Sequence, residues 1–132
     1  MKETLDKLKA VVKVLEKEHG HFLLFALFLR EDSIEKWDIV VSASWLRSSE
    51  MSAYKTVVSQ IQATLSPSEL IQFSRVVILD DVDPAVSFLQ DVCPVTNGGF
   101  KESPKDLSVE TFSEKFGFTI KKAYVLRCQK KK

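Results

Sequence analysis

The stretch that decides the fold is Phe22-Leu23-Leu24-Phe25-Ala26-Leu27-Phe28-Leu29, a continuous apolar run. Both odd and even positions are apolar, so a strand formed here would have no polar face to expose to water. The run is far shorter than the roughly 20 residues that a membrane-spanning helix needs. A short run that is apolar on both faces is typical of a central strand covered on both sides. We therefore expect 22–29 to be the central strand of a buried sheet.

The next apolar run defines a second strand beside the first. Residues 30–36 are mostly polar, and Trp37 to Ala43 returns to an apolar pattern. A connection of seven residues is too short for a helical crossover, so the simplest arrangement is two antiparallel neighbouring strands.

Helix signals flank this pair of strands. Apolar residues at three- and four-residue spacing predict an amphipathic helix over 3–18, ended by Gly20, and a second helix over about 50–65. Ser66-Pro67-Ser68-Glu69 combines a capping box with proline at the first helical position and predicts a short helix of about seven residues. Asp83-Pro84 opens a further helix to about Asp91.

Three later segments complete the sheet. The run Arg75 to Leu79 predicts a third buried strand, and Val109 to Phe112 a small edge strand. The alternating pattern from Phe116 to Cys128 predicts the last strand, and 94–106 is expected to be a loop. The result is an α/β (α+β) fold with a single mixed β-sheet and helices on its faces, in the order α-β-β-α-α-β-α-(β)-β. At 132 residues we expect a single domain over 1–132.

Charge and cysteine content exclude several classes of protein. Nineteen basic and eighteen acidic side chains leave a net charge of +1, which argues against a protein that coats nucleic acid. Cys93, Cys128, His19 and His21 have no zinc-ligand spacing, so no metal site and no cofactor is predicted. The charged start has no signal-peptide pattern and no membrane segment is present, so we expect a cytoplasmic protein.

The candidate site consists of Arg30, Asp38, Trp45 and Asp80. All four are expected to project from the ends of central strands, where α/β sheets usually hold their sites. Trp45, with Trp37, brackets the second strand, and the pair serves either as a ligand platform or as the closure of a core. No residue is assigned a catalytic role.

The segment Phe25 to Val41 resembles the start of a minimal nucleotidyltransferase, with Asp38 in the place of the family's second metal-binding aspartate. The run Val76 to Pro84 is similar to the family's third strand and the helix after it, and in element order the resemblance covers about 3–93. It implies Mg²⁺ chemistry only if the acidic set is complete, because nucleotidyl transfer uses carboxylates that hold two metal ions. Lys36 stands where the first aspartate belongs, no Gly-Ser precedes the loop, and the third strand contains no acidic residue.

The whole chain also resembles a group of small bacterial α/β proteins. The residues that carry this resemblance are Trp37 to Leu46 together with Leu27 to Glu31. It implies a bacterial cytosolic origin and brings no mechanism.

Three hypotheses for function follow. The first is a non-catalytic interaction or regulatory protein on a degenerate nucleotidyltransferase-like fold. Small members of that family often act beside a helical partner, so the resemblance implies a protein partner. A homo-oligomer is the alternative. The second is a small nucleotide- or metal-dependent transferase that uses Arg30, Asp38 and Asp80. The third is a weak nucleic-acid binder through Lys121, Lys122, Arg127 and 130–132, near the aromatic residues of the last strand.

Overall fold

The computed structural model describes residues 2–30, 36–46, 51–81, 83, 86–87, 90, 101–102 and 120–129. Its elements in chain order are α1 (Lys2–His19), β1 (Phe22–Arg30), β2 (Trp37–Ala43), α2 (Met51–Thr64), α3 (Pro67–Leu70), β3 (Phe73–Ile78), β4 (Lys101–Glu102) and β5 (Ile120–Cys128). No helix in this part of the chain is long and apolar enough to cross a membrane.

The strands form one mixed sheet in the order β3-β2-β1-β5-β4. β1 is antiparallel to β2 on one side and to β5 on the other, whereas β2 and β3 are parallel. The predicted mixed sheet is thus confirmed, and so is the antiparallel pairing across the short 30–36 connection. β1 lies at the centre, and each residue from Phe22 to Phe28 is at most 3% exposed.

α1 and α2 cover one side of the sheet, which we call the helix face. One alternate set of strand side chains points to this face and packs against the apolar stripes of both helices. Each large apolar side chain buried in this way contributes roughly 1.5–3 kcal/mol relative to leaving it exposed. The members of this core include Leu8, Leu15, Phe25, Leu27, Ile39, Val41, Val57 and Ile61.

The opposite side of the sheet is buried as well. Leu24, Ala26, Phe28, Val40 and Val125 alternate with the helix-face residues and are at most 1% exposed. Burial of both alternate sets explains why the sequence of β1 shows no polar face.

Gly20 separates α1 from β1. Its φ of 122° lies in a region that L side chains rarely adopt. Its N–H donates to the Glu16 carbonyl at 3.0 Å, which closes the last turn of α1. The predicted stop signal is confirmed, and α1 extends one residue beyond each predicted end.

The α2–α3 segment carries the chain from β2 to the parallel β3. Ser66 caps α3 and Glu69 completes the capping box, as the sequence predicts. The helix has four residues rather than about seven, because the chain turns at Ile71 and Gln72 and the Gln72 carbonyl already accepts the Trp37 N–H at 2.8 Å.

The prediction that the third strand is buried was wrong. β3 starts earlier, at Phe73, and lies at one end of the described strand order, where Ser74 and Arg75 are exposed and residues 76–78 are only half-buried. Its β-branched composition matches that of a central strand, so composition alone does not distinguish an edge strand.

The C-terminal part follows the predicted order with one shift. β4 lies at Lys101–Glu102, inside the predicted loop, and pairs with Val125 and Tyr124 of β5. The predicted edge strand at 109–112 and the first residues of the predicted last strand, 116–119, lie outside the described residues. Val86, Ser87 and Gln90 are helical, as predicted for the segment after Asp83, and the rest of that helix also lies outside them.

Candidate binding site

The four residues predicted as a site lie at two opposite ends of the sheet. Arg30 ends β1 and Asp38 is near the start of the antiparallel β2, so these two share one end. Trp45 follows β2 and Asp80 follows the parallel β3, so these two share the other. Asp38 pairs in register with Arg75, and Asp80 lies five residues further along, about 16 Å at roughly 3.3 Å per residue. The two aspartates therefore do not share one metal site.

Asp38 is fully buried and has an ionic partner. Its side chain is 1% exposed, and Oδ2 lies 3.2 Å from Nε of Arg75, whose side chain is 45% exposed. A buried carboxylate keeps its charge only when a cation or hydrogen-bond donors compensate the lost hydration. The pair links β2 to β3. The Arg75 side chain extends from the buried Asp38 to the surface of the edge strand.

Trp45 closes the end of the core beside the α1–β1 turn. Its indole N–H donates to the Gly20 carbonyl at 3.0 Å, and its ring stacks on His19 with centroids 4.8 Å apart. A Cβ on residue 20 would lie 3.4 Å from Trp45 Cδ1, so the glycine also makes room for the ring. Trp37 likewise stacks on Tyr124, at 5.3 Å, at the other end of β2. These contacts favour the interpretation of both tryptophans as core closures.

Glu16 is a nearly buried polar centre that no sequence pattern predicts. Its carboxylate accepts hydrogen bonds from Arg127 Nη2 at 2.7 Å and from the Phe22 N–H at 2.9 Å, and it lies 3.5 Å from His21 Nδ1. Gln129 Nε2 approaches the same carboxylate at 3.4 Å. These donors fix the end of α1 to both β1 and β5. No local pattern could have predicted the pair, because Glu16 and Arg127 lie at opposite ends of the chain.

The burial of Arg127 changes the interpretation of the basic C-terminal region. Arg127 is 6% exposed and bound to Glu16, so it is not part of an exposed cationic surface for nucleic acid. The side chains of Lys121 and Lys122, and residues 130–132, lie outside the described part of the structure.

Glu69 forms a second polar centre, between α1 and α3. It accepts from Lys7 Nζ at 2.6 Å, from Thr4 Oγ1 at 3.1 Å and from the Ser66 N–H at 2.9 Å. The hydrogen bond from Lys7, followed by that from the Ser66 backbone, lowers the pKa of Glu69 from 4.5 to about 2. The capping box was predictable, whereas the contacts with α1 depend on the tertiary fold.

No group of three or more His, Cys, Asp or Glu side chains is arranged to bind a metal ion within the residues described. Cys128 is buried, and Cys93 lies outside those residues.

A groove between α2, α3 and β3 bears both apolar and polar groups. It has a volume of about 230 Å³. This is smaller than the roughly 300–1,000 Å³ of typical small-molecule pockets and suits one or two side chains of a larger partner. Its apolar lining includes Ile39, Val58, Ile61, Leu70, Phe73 and Val76, and its polar lining includes Tyr54, Gln62, Ser74 and Arg75.

The surface around the groove contains few charges. The stretch 51–78 has only three charged residues, Lys55, Glu69 and Arg75, whereas half of the residues of α1 are Lys, Asp or Glu. Of the three, Glu69 is buried, so the exposed charges are both positive. Met51 and Ile71 are 63% and 69% exposed. Depletion of charged residues together with enrichment of Met is typical of the centre of protein–protein interfaces.

The edge of β3 borders this groove. The Leu79 N–H donates to the Val41 carbonyl at 2.9 Å, so the N–H of Val77, two residues earlier, also points towards β2. The N–H groups of Val76 and Ile78 alternate with these and point away from β2. We call the outward side of α2, Ile71, the groove and this edge of β3 together the α2–β3 surface.

Comparisons with protein-family models, with curated proteins and with solved structures find no match in any of the three cases. The resemblance to nucleotidyltransferases and the one to small bacterial proteins therefore both stay predictions.

Proposed function

We propose that this chain is a non-catalytic protein-interaction domain whose α2–β3 surface binds an extended segment of a protein, in which apolar residues adjoin a carboxylate. The observation that carries the proposal is the groove beside the edge of β3, with its apolar lining and Arg75. A nucleotidyltransferase-like ancestry and a bacterial cytosolic setting belong to the proposal on the strength of the sequence resemblances alone.

The edge of β3 favours an extended ligand. The outward N–H and C=O groups of an edge strand can pair with one further strand, and the main-chain hydrogen bonds then supply affinity while pockets for alternate side chains supply specificity. The half-buried Val76 faces the groove, so a side chain of an added strand would lie near the groove's apolar lining.

The charge of the surface specifies the chemistry of the ligand. Lys55 and Arg75 are exposed, and no exposed carboxylate is present within 51–78. A segment that places a carboxylate near Arg75 is attracted, whereas one with a lysine there is repelled; such complementarity acts mainly on specificity and on the association rate.

The enzyme hypothesis has less support from the same residues. The separation of Asp38 from Asp80 and the burial of Asp38 give the predicted set no common cleft. The structure offers no argument for a nucleotide at Arg30, whose side chain lies outside what is described.

The test uses two labelled peptides of alternating valine and threonine that differ only in ending in aspartates or in lysines. Fluorescence anisotropy should show that the full chain binds the aspartate peptide more tightly. Val58→Lys, which places a cation in the apolar lining, should weaken binding by about tenfold or more, equivalent to about 1.4 kcal/mol.

The matched control is Val14→Lys. Val14 is a valine on a helix surface, 37% exposed, on the charged α1. This variant should bind the peptide as the wild type does. Absence of binding by either peptide, or equal losses in the two variants, would overturn the proposed function.

A further inference from the structure

We infer that a second copy of this chain supplies the extended segment, so that two β3 strands pair antiparallel across a two-fold axis. The inference rests on the proposed function, because it assigns an occupant to the same α2–β3 surface. The segment that the surface would bind is present in β3 itself and in the residues directly after it.

β3 is self-complementary in sequence. Arg75 precedes the apolar run 76–79, and Asp80 and Asp81 follow it. The charge along the strand therefore changes from positive to negative around an uncharged centre. Such a strand complements a second copy of itself when the two run antiparallel.

The two-fold geometry places these charges correctly. An isologous interface brings the same surface of both copies together, so residue i meets residue j and j meets i. Pairing centred near Val77 sets Val77 opposite Val77 of the second copy. Arg75 of each copy then lies opposite Leu79 of the other copy, and Asp81 of the other copy is its diagonal cross-strand neighbour. Asp80 of the other copy lies between these two positions in sequence and adds a second negative charge nearby.

The apolar part of the segment provides the contact area. Val76, Val77, Ile78 and Leu79 are half-buried, and thus retain apolar surface that a second strand can cover. The outward N–H groups of Val76 and Ile78 are the ones that a paired strand would engage. Among the described strands β3 has no neighbour on this side, and such groups on an open edge are a template for pairing with another chain.

Two further features of the surface continue the interface beyond the strands. Ile71 directly follows Leu70, and Met51 lies about one helical turn before Tyr54; Leu70 and Tyr54 both line the groove, and Ile71 and Met51 are exposed. Lys55 is the only charged residue of α2. An antiparallel pairing brings α2 and α3 of both copies to one side of the joined sheet, since both lie on the helix face. The weakly charged side of α2 is therefore suited to the area next to the strand pair.

The first experiment measures the mass of the full chain by sedimentation equilibrium over a wide range of protein concentration. The expected result is a reversible dimer. Amide hydrogen exchange at low and high concentration should show that Val76 and Ile78 become protected as the dimer forms. The Val77 amide, which points towards β2, should be protected at both concentrations.

Variants locate the interface. A lysine in the middle of an edge strand prevents edge-to-edge pairing, so Val77→Lys should be monomeric, whereas the control Val14→Lys should dimerise normally. The double substitution Asp80→Lys and Asp81→Lys should raise the dimer dissociation constant by about tenfold or more, because each change occurs twice in a two-fold interface. Arg75 is left unchanged because it also compensates the buried Asp38.

A wild-type chain that stays monomeric at the highest concentration overturns the inference. A dimer in which Val76 and Ile78 gain no protection also overturns it, since the contact then lies elsewhere. In either case, if the chain binds the aspartate peptide and Val58→Lys abolishes that binding, the proposed function holds with a different partner. If the chain binds no peptide, both the dimer and the proposed function are overturned.

Discussion

Single residues tie distant parts of this chain together through two carboxylates. Glu16 joins the end of α1 to β1 and β5, and Glu69 joins the start of α1 to α3. Both are nearly buried, and several donors satisfy each of them, as buried charges require. α1 is therefore fixed to the sheet by an ionic contact at its C-terminal end as well as by its apolar face.

The Glu69 contacts predict a pH-dependent stability. Because its folded-state pKa is about 2 and the ordinary value is 4.5, the stabilisation is present above about pH 4.5 and is lost as the pH falls towards 2. The free energy of unfolding of Glu69→Gln should be lower than that of the wild type at neutral pH. The two should converge between pH 4.5 and 2 in urea titrations.

The control for this prediction removes the largest cause of the shift. In a Lys7→Met background, Glu69→Gln should change the pH dependence less than it does in the wild type. An equal pH dependence in both backgrounds would contradict the assignment of Lys7 as the main donor.

Glu16 and Arg127 predict a strongly coupled pair. Arg127→Met leaves the Glu16 carboxylate buried without its guanidinium partner and should cost roughly 3–5 kcal/mol in the free energy of unfolding. Glu16→Leu combined with Arg127→Met should cost clearly less than the sum of the single changes. Additive losses in denaturant unfolding would show that the two side chains act independently.

At the scale of elements, α3 shows how local sequence sets a turn of the chain. The Ser66 hydroxyl accepts the Glu69 N–H at 3.3 Å, and the Glu69 side chain accepts the Ser66 N–H in return. This reciprocal cap stabilises a helix of only four residues, at the point where the chain turns from α2 to β3. The cap matters for function because α3 supplies Leu70 to the groove.

Removal of the cap should be measurable. Ser66→Ala should lower the free energy of unfolding by about 1 kcal/mol, since the Glu69 N–H loses the hydroxyl that accepts its hydrogen bond. Ser59→Ala, a serine exposed on α2 away from any helix terminus, is the matched control and should change stability by less than about 0.5 kcal/mol. Equal effects in thermal unfolding would argue against the cap as the cause.

Elements also show where sequence patterns were sufficient and where they were not. The apolar run of β1, the boundaries of β2 and the capping box of α3 are local signals, and each predicted the observed element closely. β3 has a similarly apolar composition, yet it lies at the edge, because strand order depends on pairings that no local pattern encodes. The two-residue β4 was missed because it exists only through its pairing with β5.

For the whole molecule, the same limit explains the outcome for the predicted site. All four residues, Arg30, Asp38, Trp45 and Asp80, lie near strand ends as expected, but Asp80 follows the edge strand β3 and not a central strand. Because β1 is antiparallel to β2 and β3 is parallel to β2, Arg30 and Asp38 lie at one end of the sheet, and Trp45 and Asp80 lie at the other. The groove was not predictable, because its lining comes from β2, α2, α3 and β3 at once.

The charge distribution over the described residues provides the strongest argument for an interaction surface. α1 is highly charged, whereas the α2–β3 surface has two exposed positive groups and several exposed apolar ones. A catalytic interpretation would need its polar residues to converge, and the described polar centres at Glu16, Asp38 and Glu69 instead join elements of the fold.

The measurement that tests the central claim most directly is a two-dimensional NMR titration of the isotope-labelled full chain with the aspartate-ended peptide. The shifted backbone signals are expected to come from β3, the outward side of α2, and Ile71, and the signals of exposed α1 residues such as Val14 are expected to stay in place. Shifts centred on α1 or on the α1–β1 turn, or no shifts at saturating peptide, would contradict that claim.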